Sequence, residues 1–166
     1  QSDSGFAINP VTTSTEVHAA PEEADWTILV YLAGDNNLEE SAIIDLNEME
    51  QVGSTNNINI VVELDRSNGF YSGHDNWTGA KRFYVLKDTS SAEVDPDYSD
   101  IVSIELDRLG NVDTGNPNTL SDFVTWGVNT FPSDKLAVIL WNHGWSWSLQ
   151  STTSSTKGIM SDDSTG

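Results

Sequence analysis

His143 lies in the string Asn142-His143-Gly144, directly after the apolar run Leu136-Ala137-Val138-Ile139-Leu140-Trp141. An imidazole that titrates near neutrality can take a proton from a nucleophile and return it to a leaving group. The glycine that follows lets a backbone N–H approach a substrate oxygen with no Cβ in the way, as an oxyanion site requires. On position alone, His143 is either such a base or a histidine with a structural role. The sequence contains no cysteine, which removes disulfides, a cysteine zinc site and a thiol nucleophile from this chain. His18 and His74 have no ligand-like neighbours and read as solvent-facing. Asp95, Asp97 and Asp100 are the carboxylates a calcium ion would use, but they lack the glycine and terminal glutamate of an EF-hand loop, so a solvated acidic loop is the simpler reading.

The elements that must position these residues alternate between strand and helix. Trp26-Thr27-Ile28-Leu29-Val30-Tyr31-Leu32-Ala33 is a continuous apolar run with β-branched and aromatic residues, the pattern of a strand covered on both faces. Gly34-Asp35-Asn36-Asn37 is a turn, and Asn36 with Glu39 has the spacing of a capping box. Leu38, Ala42, Leu46, Met49 and Val52 follow at helical spacing, with Gly53 placed to stop the helix. Ile58-Asn59-Ile60-Val61-Val62-Glu63-Leu64 is a second strand, closing at Asp65-Arg66. Two apolar strands joined through a helix imply a parallel pair with a right-handed crossover.

Beyond a loop from Gly69 to Gly79, Lys81 to Leu86 reads as a strand and Ile101 to Leu106 as a weaker one. Asn116 caps a further helix with Pro117 at its first position, and its expected buried stripe is Leu120, Phe123, Val124, Val128 and Phe131. Leu136 to Trp141 is the strongest strand pattern and is expected at the centre of the sheet. The fold class is therefore α/β, an open, mostly parallel sheet flanked by helices. Sites in such sheets lie beyond the carboxyl ends of the strands, which selects Gly34–Asn37, Asp65–Arg66 and Asn142–Gly144.

Seven Lys plus Arg stand against 26 Asp plus Glu, a formal net charge of -19. Such a surface repels phosphate backbones and anionic bilayers, so neither nucleic acid nor membrane is an expected partner. No apolar run reaches the roughly 20 residues that span a bilayer. Cationic ligands would be drawn to it, and a surface charge that serves only solubility is the alternative. Residues 1–24, rich in Ser, Thr, Glu and Ala, read as a tail or pro-segment, and residues 25–166 as the domain. A start at Gln1 is expected to reflect processing or cloning, and processing would mean export.

Five strings, in order, resemble the clostripain-like cysteine peptidases: Asp25 to Glu39, Asp45-Leu46-Asn47-Glu48-Met49-Glu50, Leu64-Asp65-Arg66, Leu140-Trp141-Asn142-His143-Gly144, and Gly158-Ile159 with Asp162-Asp163. The resemblance implies a caspase-like fold, secretion, and cleavage after basic residues, Arg foremost and Lys second. It implies a His–Cys dyad in which His143 is the histidine and the Gly144 N–H contributes to the oxyanion hole. The expected Asp-Ala-Cys-like segment lies past the last of these strings, so the cysteine belongs to a missing carboxyl-terminal heavy chain and this sequence to the light chain. The family's self-cleavage points to Lys157, or to a boundary at Gly166, with Lys157 otherwise an ordinary loop lysine. A sheet divided in this way leaves an apolar edge and face uncovered, so the isolated chain is expected to be unstable. Some relatives require calcium.

Asp35 and Asn36 are turn residues, with lining of the substrate rim as the alternative role, and Asp65 either binds a basic substrate side chain or pairs with Arg66. Trp145 and Trp147 either wall the cleft or pack beneath the next loop. Two further classes compete with the enzyme: a catalytically inactive caspase-like module that binds cationic peptides, and, from the surplus tryptophan alone, a carbohydrate-binding domain, which the strand–helix alternation disfavours.

Overall fold

The computed structural model describes residues 24–90 and 100–143. Five strands form one sheet in the order β4-β3-β2-β1-β5, with β1 at Ala24–Gly34, β2 at Ile58–Arg66, β3 at Ala80–Tyr84, β4 at Ile104–Gly110 and β5 at Ser133–Trp141. Helix α1 spans Glu39–Glu50 and α2 spans Pro117–Thr130. β1 runs parallel to both β2 and β5, while β3 is antiparallel to β2 and β4 to β3. The parallel part of the sheet is thus β2-β1-β5, and a meander completes it.

The period-2 alternation of β1 divides its side chains between two cores. Val30 and Leu32 join Val62, Leu64 and Phe83 beneath Ala42, Ile43 and Leu46 of α1. Leu29, Tyr31 and Ala33 join Val61 and Tyr84 beneath Phe123 of α2. Fully burying one Leu or Phe side chain contributes about 1.5–3 kcal/mol, so the two faces together hold the central strands. α2 sits close because Gly127 has no side chain: a Cβ there would lie 2.7 Å from the Leu29 methyls.

The two helix starts are built differently. The Asn116 side chain accepts from the Asn118 N–H at 2.9 Å, capping α2 with Pro117 in its first turn, as expected. At α1 the capping box does not form. Glu39 is instead fully buried, its carboxylate taking Arg66 Nε at 2.6 Å and the Tyr71 N–H at 3.0 Å. Val52 and Val128 are exposed rather than part of their stripes, and Trp126 packs against the α2-side core in place of Val128.

β5 is the largest departure from expectation. It is the outer strand of the described sheet, not a central one. Leu136, Val138 and Leu140 on the α2 side and Ile139 on the α1 side are each 40–47% exposed. A strand with apolar side chains on both faces is made for burial, and here only β1 covers one of its edges. The weaker strand also begins later than expected, at Ile104 rather than Ile101.

Candidate functional site

Gly34, Arg66 and Trp141 end three neighbouring parallel strands, so the segments that follow them gather at one end of the sheet. The close approach of β1 to β2 needs the missing side chain of Gly34, where a Cβ would meet the Asp65 carbonyl oxygen at 2.8 Å. Past Gly34 the chain turns into α1. Asn36 N–H donates to the Gly34 carbonyl at 2.7 Å, Asn36 Nδ2 donates to the Ala33 carbonyl at 3.0 Å, and Asn36 Oδ1 accepts from the Leu38 N–H at 2.8 Å.

The end of β5 is tied to the same point. Asn142 Nδ2 donates to the Ala33 carbonyl at 3.1 Å, and Asn142 Oδ1 accepts from the His143 N–H. One carbonyl oxygen therefore anchors both loops, using both of its lone pairs. His143 itself is exposed, and its Nε2 lies 2.7 Å from Asn37 Oδ1. An amide oxygen only accepts, so in this contact Nε2 carries the proton.

The loop after β2 is fixed by Arg66, which is buried and stacked over Trp77 with 4.2 Å from its guanidinium carbon to the ring centroid. Besides Glu39, it donates to the carbonyls of Tyr71 at 2.9 Å, Gly73 at 3.3 Å and His74 at 3.4 Å. This clamp holds His74, Asp75 and Asn76 at φ of 54°, 58° and 46°. Left-handed backbone costs about 1–2 kcal/mol per such residue, so it persists only where its surroundings fix it. His74 Nδ1 lies 3.3 Å from the Tyr71 hydroxyl. A cavity of about 270 Å³ lies beside this loop, with His74, Trp77, Lys81, Phe83 and Glu105 among its walls, and none of the residues around His143 lines it.

Of the residues expected at the site, the structure brings His143 to the mouth of the sheet. Asp35, Asn36 and Asp65 are also at the carboxyl ends of the strands, but they are 0%, 1% and 0% exposed. As they stand, they shape the backbone under the rim and offer no surface to a substrate. Asp65 does not pair with the Arg66 side chain, which goes to Glu39; its Oδ1 accepts from the Arg66 backbone N–H at 3.0 Å. Gly144, Trp145, Trp147, Lys157, Asp95 and Asp97 lie outside the described residues, while Asp100 is exposed. Among the described residues, no group of three or more His, Asp or Glu is placed to hold a metal ion, and no helix is long and apolar enough to cross a membrane. The sequence reading did not single out Asn37. Its signals were membership of the Gly34–Asn37 turn and of the string Asp25 to Glu39, and the contact it makes is 106 residues away.

A family model described as the clostripain family matches residues 30–166. Clostripain of Hathewaya histolytica is 27% identical over 143 residues, 83% of this chain but 27% of that protein, so the chain spans about a quarter of the length of this relative. Among solved structures, a B. fragilis cysteine protease superimposes with a TM-score of 0.55 at 21% identity, covering 80% of this chain and 98% of the matched one. An inactive zymogen C11 protease from Parabacteroides distasonis gives 0.55 at 24% identity, covering 76% of this chain and 33% of that one. A secreted C11 cysteine protease from Bacteroides thetaiotaomicron, in complex with an irreversible peptide inhibitor, gives 0.52 at 26% identity, covering 74% and 31%. These neighbours share the sheet and its flanking helices.

Proposed function

Because the chain belongs to the clostripain family, we propose that it is the histidine-bearing part of a cysteine endopeptidase that cleaves after basic residues, Arg foremost and Lys second. The observation that carries this reading is the exposed His143 at the carboxyl end of β5, inside the Asn142-His143-Gly144 string and with its Nε2 held by Asn37 Oδ1. No cysteine occurs in this chain, so the nucleophile comes from a partner segment. The open, apolar flank of β5 is where such a segment adds its strand, which places a thiol beside His143 at the same end of the sheet.

In that assembly Nδ1 takes the thiol proton, the thiolate attacks the peptide carbonyl, and Nδ1 returns the proton to the departing amine. The Gly144 N–H contributes to the hole that receives the oxyanion. The net charge of -19 draws cationic substrate toward the cleft, while Asp65 stays buried beneath the rim. The B. fragilis chain is matched almost end to end, whereas the two longer neighbours are matched over a third of their length. That contrast supports a two-chain enzyme, self-processed at Lys157 or near Gly166. Export is supported by the secreted relative, and calcium, if required, would use the acidic loop that includes Asp100.

The full-length protein is expected to hydrolyse fluorogenic peptides ending in Arg or Lys, and His143→Ala to abolish turnover while leaving the unfolding midpoint in place. Turnover that survives His143→Ala refutes the dyad. Binding of cationic peptides with no hydrolysis by the full-length protein points instead to the inactive module.

A further inference from the structure

We infer that Asn37 is the positioning residue of the catalytic histidine, its side-chain oxygen fixing the His143 ring in the tautomer that leaves Nδ1 unprotonated. The inference rests on the reading of His143 as the catalytic base and extends it to a turn residue to which the sequence assigned no role.

Three asparagines meet at this end of the sheet, and they divide the work. Asn36 spends its amide on Ala33 and Leu38 and is 1% exposed; Asn142 spends its amide on Ala33 and on the His143 N–H. Both serve the backbone. Asn37 lies between two held positions, the Asn36 N–H bonded to Gly34 at 2.7 Å and the Glu39 N–H bonded to the Asn36 carbonyl at 3.1 Å. Its side chain is exposed and directed at the imidazole, with Oδ1 at 2.7 Å from Nε2. Glu39, two residues further on, is locked to Arg66 in the buried interior, so the turn carrying Asn37 cannot drift away from the sheet.

The chemistry follows from the amide's valence. An unrestrained imidazole divides its proton between two nitrogens and rotates about two torsions. A hydrogen bond from Nε2 to Oδ1 selects one tautomer and one ring orientation, in neutral and charged forms alike. The proton on Nε2 stays in place throughout turnover, and only Nδ1 exchanges a proton with thiol and leaving amine.

The test uses the full-length peptidase with an Arg-terminated fluorogenic peptide. Asn37→Ala is expected to lower kcat by about 10- to 100-fold with KM changed less than about threefold. Asn37→Asp is expected to recover most of that loss and to move the acidic limb of the kcat/KM profile to higher pH, since a carboxylate favours the imidazolium. Nitrogen-15 shifts of the His143 ring should report a single Nε2–H tautomer in the parent and a mixture in Asn37→Ala. An unchanged kcat in Asn37→Ala, an increase in it, or an Asn37→Asp profile that stays in place overturns the assignment. These outcomes are distinct from failure of the underlying reading, which would show as His143→Ala retaining turnover.

Discussion

The two outer strands of the sheet meet solvent on different terms. On β4, Leu106 is 40% exposed and on β5, Val138 is 40% exposed, yet their surroundings differ in kind. β4 carries Glu105, Asp107 and Arg108, with Lys81 Nζ 2.8 Å from Glu105, Arg82 3.9 Å from Asp107 and Arg108 2.9 Å from Glu105. Its register with β3 shifts twice, between Ala80 and Lys81 and between Arg82 and Phe83. Charge and irregular pairing are how natural sheets stop a further strand from adding. β5 has none of this past Lys135: six apolar residues in a row, in regular parallel register with β1. The same exposure therefore marks a finished edge on one side and an unfinished one on the other.

The contrast can be broken most directly at Val138. In the full-length protein Val138→Lys is expected to cost about 4 kcal/mol or more, because a second strand would bury the ammonium group; urea unfolding and loss of peptidase activity would record it. A cost under about 1 kcal/mol would mean that nothing covers β5. Next in size is the ion pair beneath the β4 side, where Arg82 Nε lies 2.7 Å from Glu63 and the guanidinium stacks 4.2 Å from the Trp126 centroid. Glu63→Ala leaves Arg82 buried without its 2.7 Å partner and is expected to cost about 3 kcal/mol.

Burial also pushes the Glu63 carboxyl above its ordinary value, against the opposing hydrogen bond from Arg82. The folded protein thus binds this proton more tightly than the unfolded chain. Glu63 makes its most favourable contribution at low pH and loses it as pH rises from the ordinary carboxylate value through the raised one. Comparing the pH dependence of unfolding with and without Glu63 would reveal that slope.

The smaller effects belong to β4. Leu106→Lys is expected to cost under about 1 kcal/mol in the same urea experiment, since the edge already tolerates charge. Glu105→Gln is smaller still, about 0.5 kcal/mol, and should fade in high salt. Hydrogen bonds from Arg108 and then Lys81 hold the Glu105 carboxyl below its ordinary value. Its contribution is present above the ordinary carboxylate value and is lost as pH falls through the depressed one, the reverse of Glu63.

The same contrast explains what could be read from sequence. The uninterrupted apolar runs of β1 and β5 and the Asn116-Pro117 start of α2 declare themselves through local pattern, and β5 was expected at the centre because its composition suits a central strand. Among the described residues it nevertheless lies at an edge. β4 was harder to place, because alternating apolar and charged residues on an edge resemble an exposed loop as much as a strand. Glu39 looked like a capping residue because its real partner, Arg66, is brought near only by the sheet. Asn37 was legible only as part of the Gly34–Asn37 turn, since its contact with His143 joins the ends of two different strands.

The oxygen of Ala33 has a temporal consequence. It receives amides from residues 3 and 109 positions away in sequence, and the second contact exists only after β5 has docked on β1. Closing so long a loop is among the slower events in a folding chain. The imidazole is therefore aimed late, and any species in which β5 is still free holds a histidine with no fixed orientation. Assembly of the parallel strands and orientation of the His143 ring are thus a single event.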